Sequence, residues 1–146
     1  MAFDEETAIA MADGQFVAIS ELVEGDEVIA LDTEKKKIVH AKVTALVPAK
    51  LEKVVKVRIA EELTCSEEQL FILKDFSSKK AVELRPGDIV LTESMVEAAV
   101  KSVRAVDKQM ELTAIKTDKG TFVAEGIIVA DAPIFPSHGS ERIVAE

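Results

Sequence analysis

Short apolar runs separated by turn residues follow one another along the chain as far as residue 132. Many of the runs are rich in valine, isoleucine and leucine, and such runs bounded by glycine, proline or aspartate are typical of strands. The predicted strands are 8–11, 15–18, 27–32, 37–48, 54–59, 62–64, 70–74, 88–92, 98–107, 110–117, 121–124 and 127–130. The pattern therefore predicts an all-β fold.

Turn residues refine this outline. Asp13-Gly14 and Asp118-Lys119-Gly120 predict hairpins, because aspartate and glycine tolerate the positive φ of a tight turn. Residues 19–23 and 81–84 predict short helical turns at most. Residues 93–103 have the propensity of a helix, but we predict a strand pair around 93–95 instead.

An internal repeat is the strongest feature of the sequence. Residues 20–29 read Ser-Glu-Leu-Val-Glu-Gly-Asp-Glu-Val-Ile, and residues 82–91 read Val-Glu-Leu-Arg-Pro-Gly-Asp-Ile-Val-Leu. A shift of 62 pairs Glu21 with Glu83, Leu22 with Leu84, Gly25 with Gly87, Asp26 with Asp88 and Val28 with Val90. The repeat predicts two related halves of about 60 residues and a pseudo-twofold fold. A Gly-Asp turn before an apolar strand is also common turn chemistry, which is the alternative explanation.

The pattern ends after Ala132, where prolines, serines and a glycine replace the apolar runs. We predict one domain over 1–132 and a tail or linker over 133–146. His138 falls in this tail and is expected to be solvated.

Charge excludes several classes of function. The formal net charge is −9 and the pI is about 4.8, which argues against binding nucleic acid, because phosphate contacts dominate that affinity. The lysines of Lys35-Lys36-Lys37 and Lys79-Lys80 are predicted to lie at hairpin tips. No apolar run approaches the roughly 20 residues that cross a bilayer, and no targeting signal is recognisable. We expect a soluble chain with no membrane partner, and its compartment stays open.

The residues that bind metals or form disulfides are few. Cys65 is the only cysteine, so no intramolecular disulfide is expected, and the two histidines lie far apart in sequence. We predict no metal and no cofactor. A buried, inert thiol is favoured for Cys65 over a functional one. His40 is predicted to be a surface or half-buried strand residue rather than a general base. Glu61-Glu62 and Glu67-Glu68 are predicted to form a solvated acidic loop.

Three segments together resemble the Hint family, which includes inteins, bacterial intein-like domains and the autoprocessing domain of hedgehog proteins. The first runs from Phe3 to Gly14 and continues at Gly25-Asp26-Glu27-Val28; it is similar to the opening strand, Asp-Gly turn and Gly-Asp-x-Val strand of that family. The second, residues 63–71, is similar to the motif Thr-x-x-His followed by apolar residues. The third, residues 120–131, is similar to the closing strand pair. The resemblance implies a horseshoe-like β fold built from two related halves.

In that family the first residue is a cysteine whose thiol attacks the carbonyl just upstream, so that an amide becomes a thioester. The histidine of Thr-x-x-His assists the departing nitrogen as a general acid. Splicing members end in His-Asn, where the asparagine cyclises and cuts the second junction. The resemblance therefore implies a monomeric, single-turnover autoprocessing domain whose partner is its own flanking polypeptide, on the N-terminal side and in splicing members on the C-terminal side.

This sequence departs from the family at each reactive position. Ala2 occupies the nucleophile position and has no group that can attack. The Thr-x-x-His positions hold Ser66, whose hydroxyl can replace that of threonine, and Gln69, which cannot shuttle a proton. Ala130-Asp131 replaces the closing His-Asn, and Ala132 occupies the second nucleophile position. A carboxylate at Asp131 could still activate a group beside the N-terminus.

Two explanations of these departures remain open. Ala2 is either an engineered replacement of cysteine that keeps a precursor whole, or the sign of a domain that has lost its chemistry. The prediction is a self-processing domain, inactive as given because position 2 is alanine. The alternative is a catalytically dead Hint-like module that acts in protein interaction. An unrelated small β-barrel that binds a peptide or a small molecule is a third, weaker hypothesis.

Overall fold

The computed structural model of the chain describes residues 1–134, and for residues 50–52 and 108 it describes the backbone alone. The fold is all-β, as predicted. The strands are β1 (Ala8–Ala10), β2 (Phe16–Ala18), β3 (Glu27–Asp32), β4 (Lys37–Arg58), β5 (Glu62–Ser66), β6 (Leu70–Ile72), β7 (Ser78–Lys80), β8 (Ile89–Leu91), β9 (Glu97–Ala99), β10 (Ser102–Thr117), β11 (Thr121–Ala124) and β12 (Ile127–Ala130).

The strands form three sheets. One has six strands in the order β2-β1-β11-β12-β6-β7, so that the closing hairpin lies at its centre. The second has the order β10-β4-β3, with β5 also paired to β4. The third is the hairpin of β8 and β9. All residues of β11 and β12 are buried, which explains why every one of them except Thr121 is apolar.

The repeat in the sequence is a repeat in structure. A shift of 62 places β1 on β6, β2 on β7 and the start of β3 on β8. The two predicted helical turns are 3-10 helices, Ile19–Glu21 and Ala81–Glu83. Gly25 and Gly87 have φ of +94° and +96°, and their amides donate to Val43 and Val100 at 2.8 and 2.9 Å. The two halves thus share local hydrogen bonds as well as residues, and they meet at the β11–β12 pair.

Two long strands differ from the prediction. Residues 37–48 and 54–59 were expected to be separate, but β4 is continuous from Lys37 to Arg58. Pro48 is tolerated there because its partner, Thr113, exchanges both backbone hydrogen bonds with Phe3, so no bond from Pro48 is required. The predicted strand 98–107 is divided, because Ala98 and Ala99 belong to β9 and β10 begins at Ser102. From Ser102 onwards it is joined to the predicted strand 110–117, with a register shift between Val106 and Gln109 that marks a bulge.

The second difference concerns Lys79-Lys80, which was predicted to lie at a hairpin tip. The two lysines belong to β7, an edge strand that the sequence did not reveal because it is wholly polar. Lysine on an edge strand is a common protection against unwanted strand pairing. Lys35 and Lys36 do lie in the turn between β3 and β4, but Lys37, predicted to lie there too, is the first residue of β4. Strands β8 and β9 form the strand pair predicted around residues 93–95.

The start of the chain lies inside the fold. Phe3 bridges to both Cys65 in β5 and Thr113 in β10, and its ring packs edge-on against Phe122 with centroids 6.0 Å apart. Phe3 is fully buried in the main hydrophobic cluster. A second cluster, referred to below as the rear cluster, consists of Ala10, Leu31, Leu70, Ile72, Leu91, Val123, Ile128 and Ala130.

The predicted tail falls mostly outside the described residues, His138 included. Within residues 1–134 no helix is long and apolar enough to cross a membrane. The division at residue 132 into domain and tail stays a prediction.

Candidate site at the buried N-terminal segment

The peptide bond that precedes residue 2 is held by Ser66. The amide of Ala2 donates to Ser66 Oγ at 3.1 Å, and the amide of Ser66 donates to the Ala2 carbonyl at 2.9 Å. Further along the chain, the Asp4 amide donates to the Thr64 carbonyl at 3.0 Å. Because these bonds run antiparallel along β5, residues 2–4 are in effect an added strand between β5 and β10.

The surroundings of Ala2 are apolar and closed to solvent. Ala2 is 1% exposed and packs with Val54 and Leu112. Ser66 is equally buried. Met1, by contrast, packs against the rear cluster, on which Ala130 also lies. The bond between residues 1 and 2 therefore joins a partly buried residue to a fully buried one, and the two residues pack in different apolar clusters.

Gln69 joins this site to the closing strand. Its side-chain amide Nε2 donates to the Ala130 carbonyl at 2.9 Å and to the Leu70 carbonyl at 3.1 Å, so both of its protons are used. Gln69 is 1% exposed, and its own amide donates to the Ser66 carbonyl. Four of the predicted site residues, Ala2, Ser66, Gln69 and Ala130, are thus linked through consecutive hydrogen bonds.

Asp131 and Ala132 do not contribute to this chain of hydrogen bonds. The Asp131 carboxylate accepts the Thr117 amide at 3.0 Å, and the Asp131 amide donates to the Gly120 carbonyl at 2.9 Å. This carboxylate therefore stabilises the turn between β10 and β11. Ala132 is exposed.

The site supplies hydrogen bonds and burial but no nucleophile. The Ser66 hydroxyl can hold the nitrogen of the peptide bond, and Gln69 orients a carbonyl of β12, yet neither side chain titrates. No group of three or more metal-binding side chains lies together within the described part of the chain. The arrangement is suited to positioning one peptide bond in a dry environment.

The other candidate residues lie apart from this chemistry. Cys65 is fully buried, and burial raises the pKa of its thiol to about 12. His40 is exposed on β4. Glu62 forms ion pairs with Lys56 and Arg104, and Glu68 with Lys80, which agrees with a solvated acidic surface.

Sequence reasoning missed two residues that hold the ends of the fold. Thr117, whose hydroxyl donates to the Thr121 carbonyl at 2.8 Å, binds the Asp131 carboxylate through its amide. Ser78 holds the backbone of Ile134. Neither has a signal in the sequence, because Asp131 lies 14 positions from Thr117 and Ile134 lies 56 positions from Ser78.

The comparisons with known proteins identify the fold. By sequence, no family model and no curated protein matches the chain. By structure, it is similar to a DnaB intein from Synechocystis sp. PCC 6803, with 20% identity and a TM-score of 0.82 over 90% of this chain and 98% of that one. It is also similar to a bacterial intein-like domain from Clostridium thermocellum, with 24% identity and a TM-score of 0.80 over 88% and 96%.

A third similar structure is the gp41-1 intein in a variant that carries alanine in place of its first cysteine; the identity is 21% and the TM-score 0.73, over 88% of this chain and 98% of that one. All three likenesses extend over nearly the whole of both chains. The chain therefore has the Hint fold of inteins and intein-like domains, as the sequence predicted.

Proposed function

We propose that this chain is a self-processing domain whose target is the peptide bond preceding residue 2, and that it is inactive as given because Ala2 lacks a nucleophile. The observation that carries the proposal is that Ser66 forms two hydrogen bonds with residue 2 in a solvent-free site. Its Oγ accepts from the Ala2 amide at 3.1 Å, and its amide donates to the Ala2 carbonyl at 2.9 Å. If residues 2–4 served only as a strand, the backbone hydrogen bond from the Ser66 amide to the Ala2 carbonyl would be sufficient. The Ser66 hydroxyl also accepts the N–H of this particular peptide bond, and so it fixes the orientation of the nitrogen that has to depart.

With cysteine at position 2 the reaction is a transfer of the upstream acyl group. The thiolate sulfur attacks the carbonyl carbon of residue 1, the bond from that carbon to the residue 2 nitrogen breaks, and the nitrogen takes up a proton. The product is a thioester between the upstream polypeptide and the side chain of residue 2. An added thiol or water then attacks this thioester and releases the upstream polypeptide.

Cleavage would be confined to the N-terminal side. Asp131 occupies the position of the cyclising residue, but its carboxylate is bound by the Thr117 amide at 3.0 Å. A carboxylate used in this way is a poor candidate for attack on its own carbonyl. Reaction at the bond between Asp131 and Ala132 would require the carboxylate to leave this contact, so we propose cleavage rather than splicing.

The test is a fusion in which a peptide of known mass precedes residue 2. The Ala2→Cys fusion is expected to lose the peptide within hours when dithiothreitol is added, and the parent fusion is expected to stay intact. Ala41→Cys is the matched control, since it places a thiol at another buried alanine, in the main hydrophobic cluster, to which neither Met1 nor Ala2 belongs. Mass spectrometry locates the cut.

The rate in the Ala2→Cys fusion should rise with pH. The new thiol would lie against Val54 and Leu112, where burial raises a thiol pKa and reduces the fraction of reactive thiolate. A second variant, Ala2→Cys with Gln69→His, adds a proton donor at position 69 and is expected to cleave faster near neutral pH. If both fusions remain intact with and without dithiothreitol, the proposal is rejected.

That negative result would favour the alternative, a catalytically dead Hint-like module that acts in protein interaction. One observation supports this alternative: both amide protons of Gln69 are committed to backbone carbonyls, so position 69 has a structural role in this chain.

A further inference from the structure

The chain that follows the domain returns to an edge of the six-stranded sheet. The Ser78 amide donates to the Ile134 carbonyl at 3.0 Å, the Ser78 hydroxyl donates to the same carbonyl at 3.2 Å, and the Ile134 amide donates to Ser78 Oγ at 2.8 Å. One serine thus holds both backbone groups of one residue. This is the backbone part of strand addition at an edge.

The side chain of Ile134 supplies the apolar part. Ile134 is partly buried and packs against the rear cluster, on which Met1 also packs. The residue before position 2 and the residue three places after Asp131 therefore share one apolar surface. A charged side chain at position 134 would lose this burial and would be disfavoured there.

This contact is not part of the internal repeat. The shift of 62 relates Ser78 to Phe16, which lies on β2 at the opposite edge of the same sheet. Phe16 is 60% exposed. The serine at the β7 edge is therefore an addition that only the second half carries, at the edge that Ile134 contacts.

We propose that the β7 edge at Ser78 is a docking site for the polypeptide that follows Ala132, and that it accepts an extended segment with an aliphatic side chain at position 134. That this segment is a flank rather than part of the domain rests on the proposed function. The site recognises only two features of the segment, an extended backbone and an aliphatic side chain. Many downstream sequences would therefore fit, provided that position 134 is apolar.

Hydrogen exchange of the Ile134 amide tests the backbone contact, and it uses the unaltered Ala2 chain, so it does not depend on any cleavage. Ser78→Ala removes two of the three hydrogen bonds and is expected to speed exchange of this amide by roughly tenfold. Ser102→Ala, at an exposed serine in β10, is the matched control and should leave it unchanged. Equal exchange in Ser78→Ala and the parent would overturn the proposal.

A series at position 134 tests the selection of the side chain. In Ile134→Val the amide of residue 134 is expected to exchange as slowly as in the parent. In Ile134→Asp its exchange rate is expected to rise at least as much as in Ser78→Ala. Equal protection in these two position-134 variants would show that no side chain is selected. The Ala2→Cys fusion reports separately on self-processing, so docking without cleavage and cleavage without docking are distinguishable results.

Discussion

Gln69→Glu is the substitution that tests the site most directly, because it keeps the shape of the side chain and removes its donors. In the parent chain Nε2 donates to the carbonyls of Ala130 and Leu70. A carboxylate in the same place would direct a negative charge at two carbonyl oxygens in a site that is 1% exposed. A neutral carboxylic acid could donate to one of them. Burial and these carbonyls would both raise the pKa of the introduced carboxyl group.

The magnitude follows from proton linkage. A carboxylic acid whose pKa is raised in the folded state stabilises the fold fully below its unfolded pKa of about 4.3, and this contribution is lost as pH rises towards the folded pKa. Each pH unit between the unfolded and the folded pKa costs about 1.4 kcal/mol, so the penalty at pH 7 is at most about 3.7 kcal/mol. One lost hydrogen bond adds about 1 kcal/mol at every pH.

Urea unfolding at pH 4, 5.5 and 7 measures this effect as the free energy of unfolding of the variant relative to the parent. The expected difference is small at pH 4 and increases by several kcal/mol by pH 7. Gln109→Glu, at an exposed position of β10, is the control and should show almost no dependence on pH. A difference that stays constant from pH 4 to pH 7 would refute the buried, donor-only role of Gln69.

Three further results are expected. Ser66→Ala should reduce the free energy of unfolding by about 1–3 kcal/mol in urea, because the buried Ala2 amide loses its acceptor, and a loss no greater than that of Ser102→Ala would contradict this. Cys65 should be alkylated at pH 8 roughly a thousandfold more slowly than an exposed cysteine, since its pKa is about 12; rapid labelling of the native chain would be the opposite result. The Arg85 amide and then Lys79 lower the pKa of Asp88, so its stabilisation is present above pH 3.8 and is lost as pH falls below it. Asp88→Asn should therefore cost up to about 1 kcal/mol at pH 7 and less at pH 3. It should also cost more than Asp26→Asn, because the first half has Val17 where the second has Lys79; urea unfolding at both pH values makes the comparison.

The features of the fold that the sequence predicts are those with a local cause. The Asp13-Gly14 turn and the two Gly-Asp turns follow from positive φ at glycine, and the apolar runs of β11 and β12 follow from burial on both faces. The turn that corresponds to Asp13-Gly14 in the second half has Phe76 at a φ of +68°, a conformation that no residue type there announces. Strand β7 likewise has no signal in its residue types, because its pairing with β6 and not its composition makes it a strand.

The residues of the candidate site also fall into two groups, those that the sequence identifies and those that only the folded structure reveals. Ala2, Ser66 and Gln69 were found through resemblance to a family motif, and the repeat alone would not have found them. The contacts of Asp131 with Thr117 and of Ser78 with Ile134 are set by which segments the sheets bring together. A side chain in a turn or at a strand end can form hydrogen bonds with several different neighbours. The folded structure is therefore needed to identify its actual partner.

The buried position of Phe3 has a consequence for the order of assembly. Residues 2–4 are the first of the domain to leave the ribosome, but their neighbours are Thr64 to Ser66 on one side and Thr113 on the other. This strand must wait until residue 113 has been translated before both neighbours exist. Such distant pairing is slow to form. The bond before residue 2 therefore acquires its geometry only after most of the domain has been translated, and any polypeptide upstream has that interval in which to fold undisturbed.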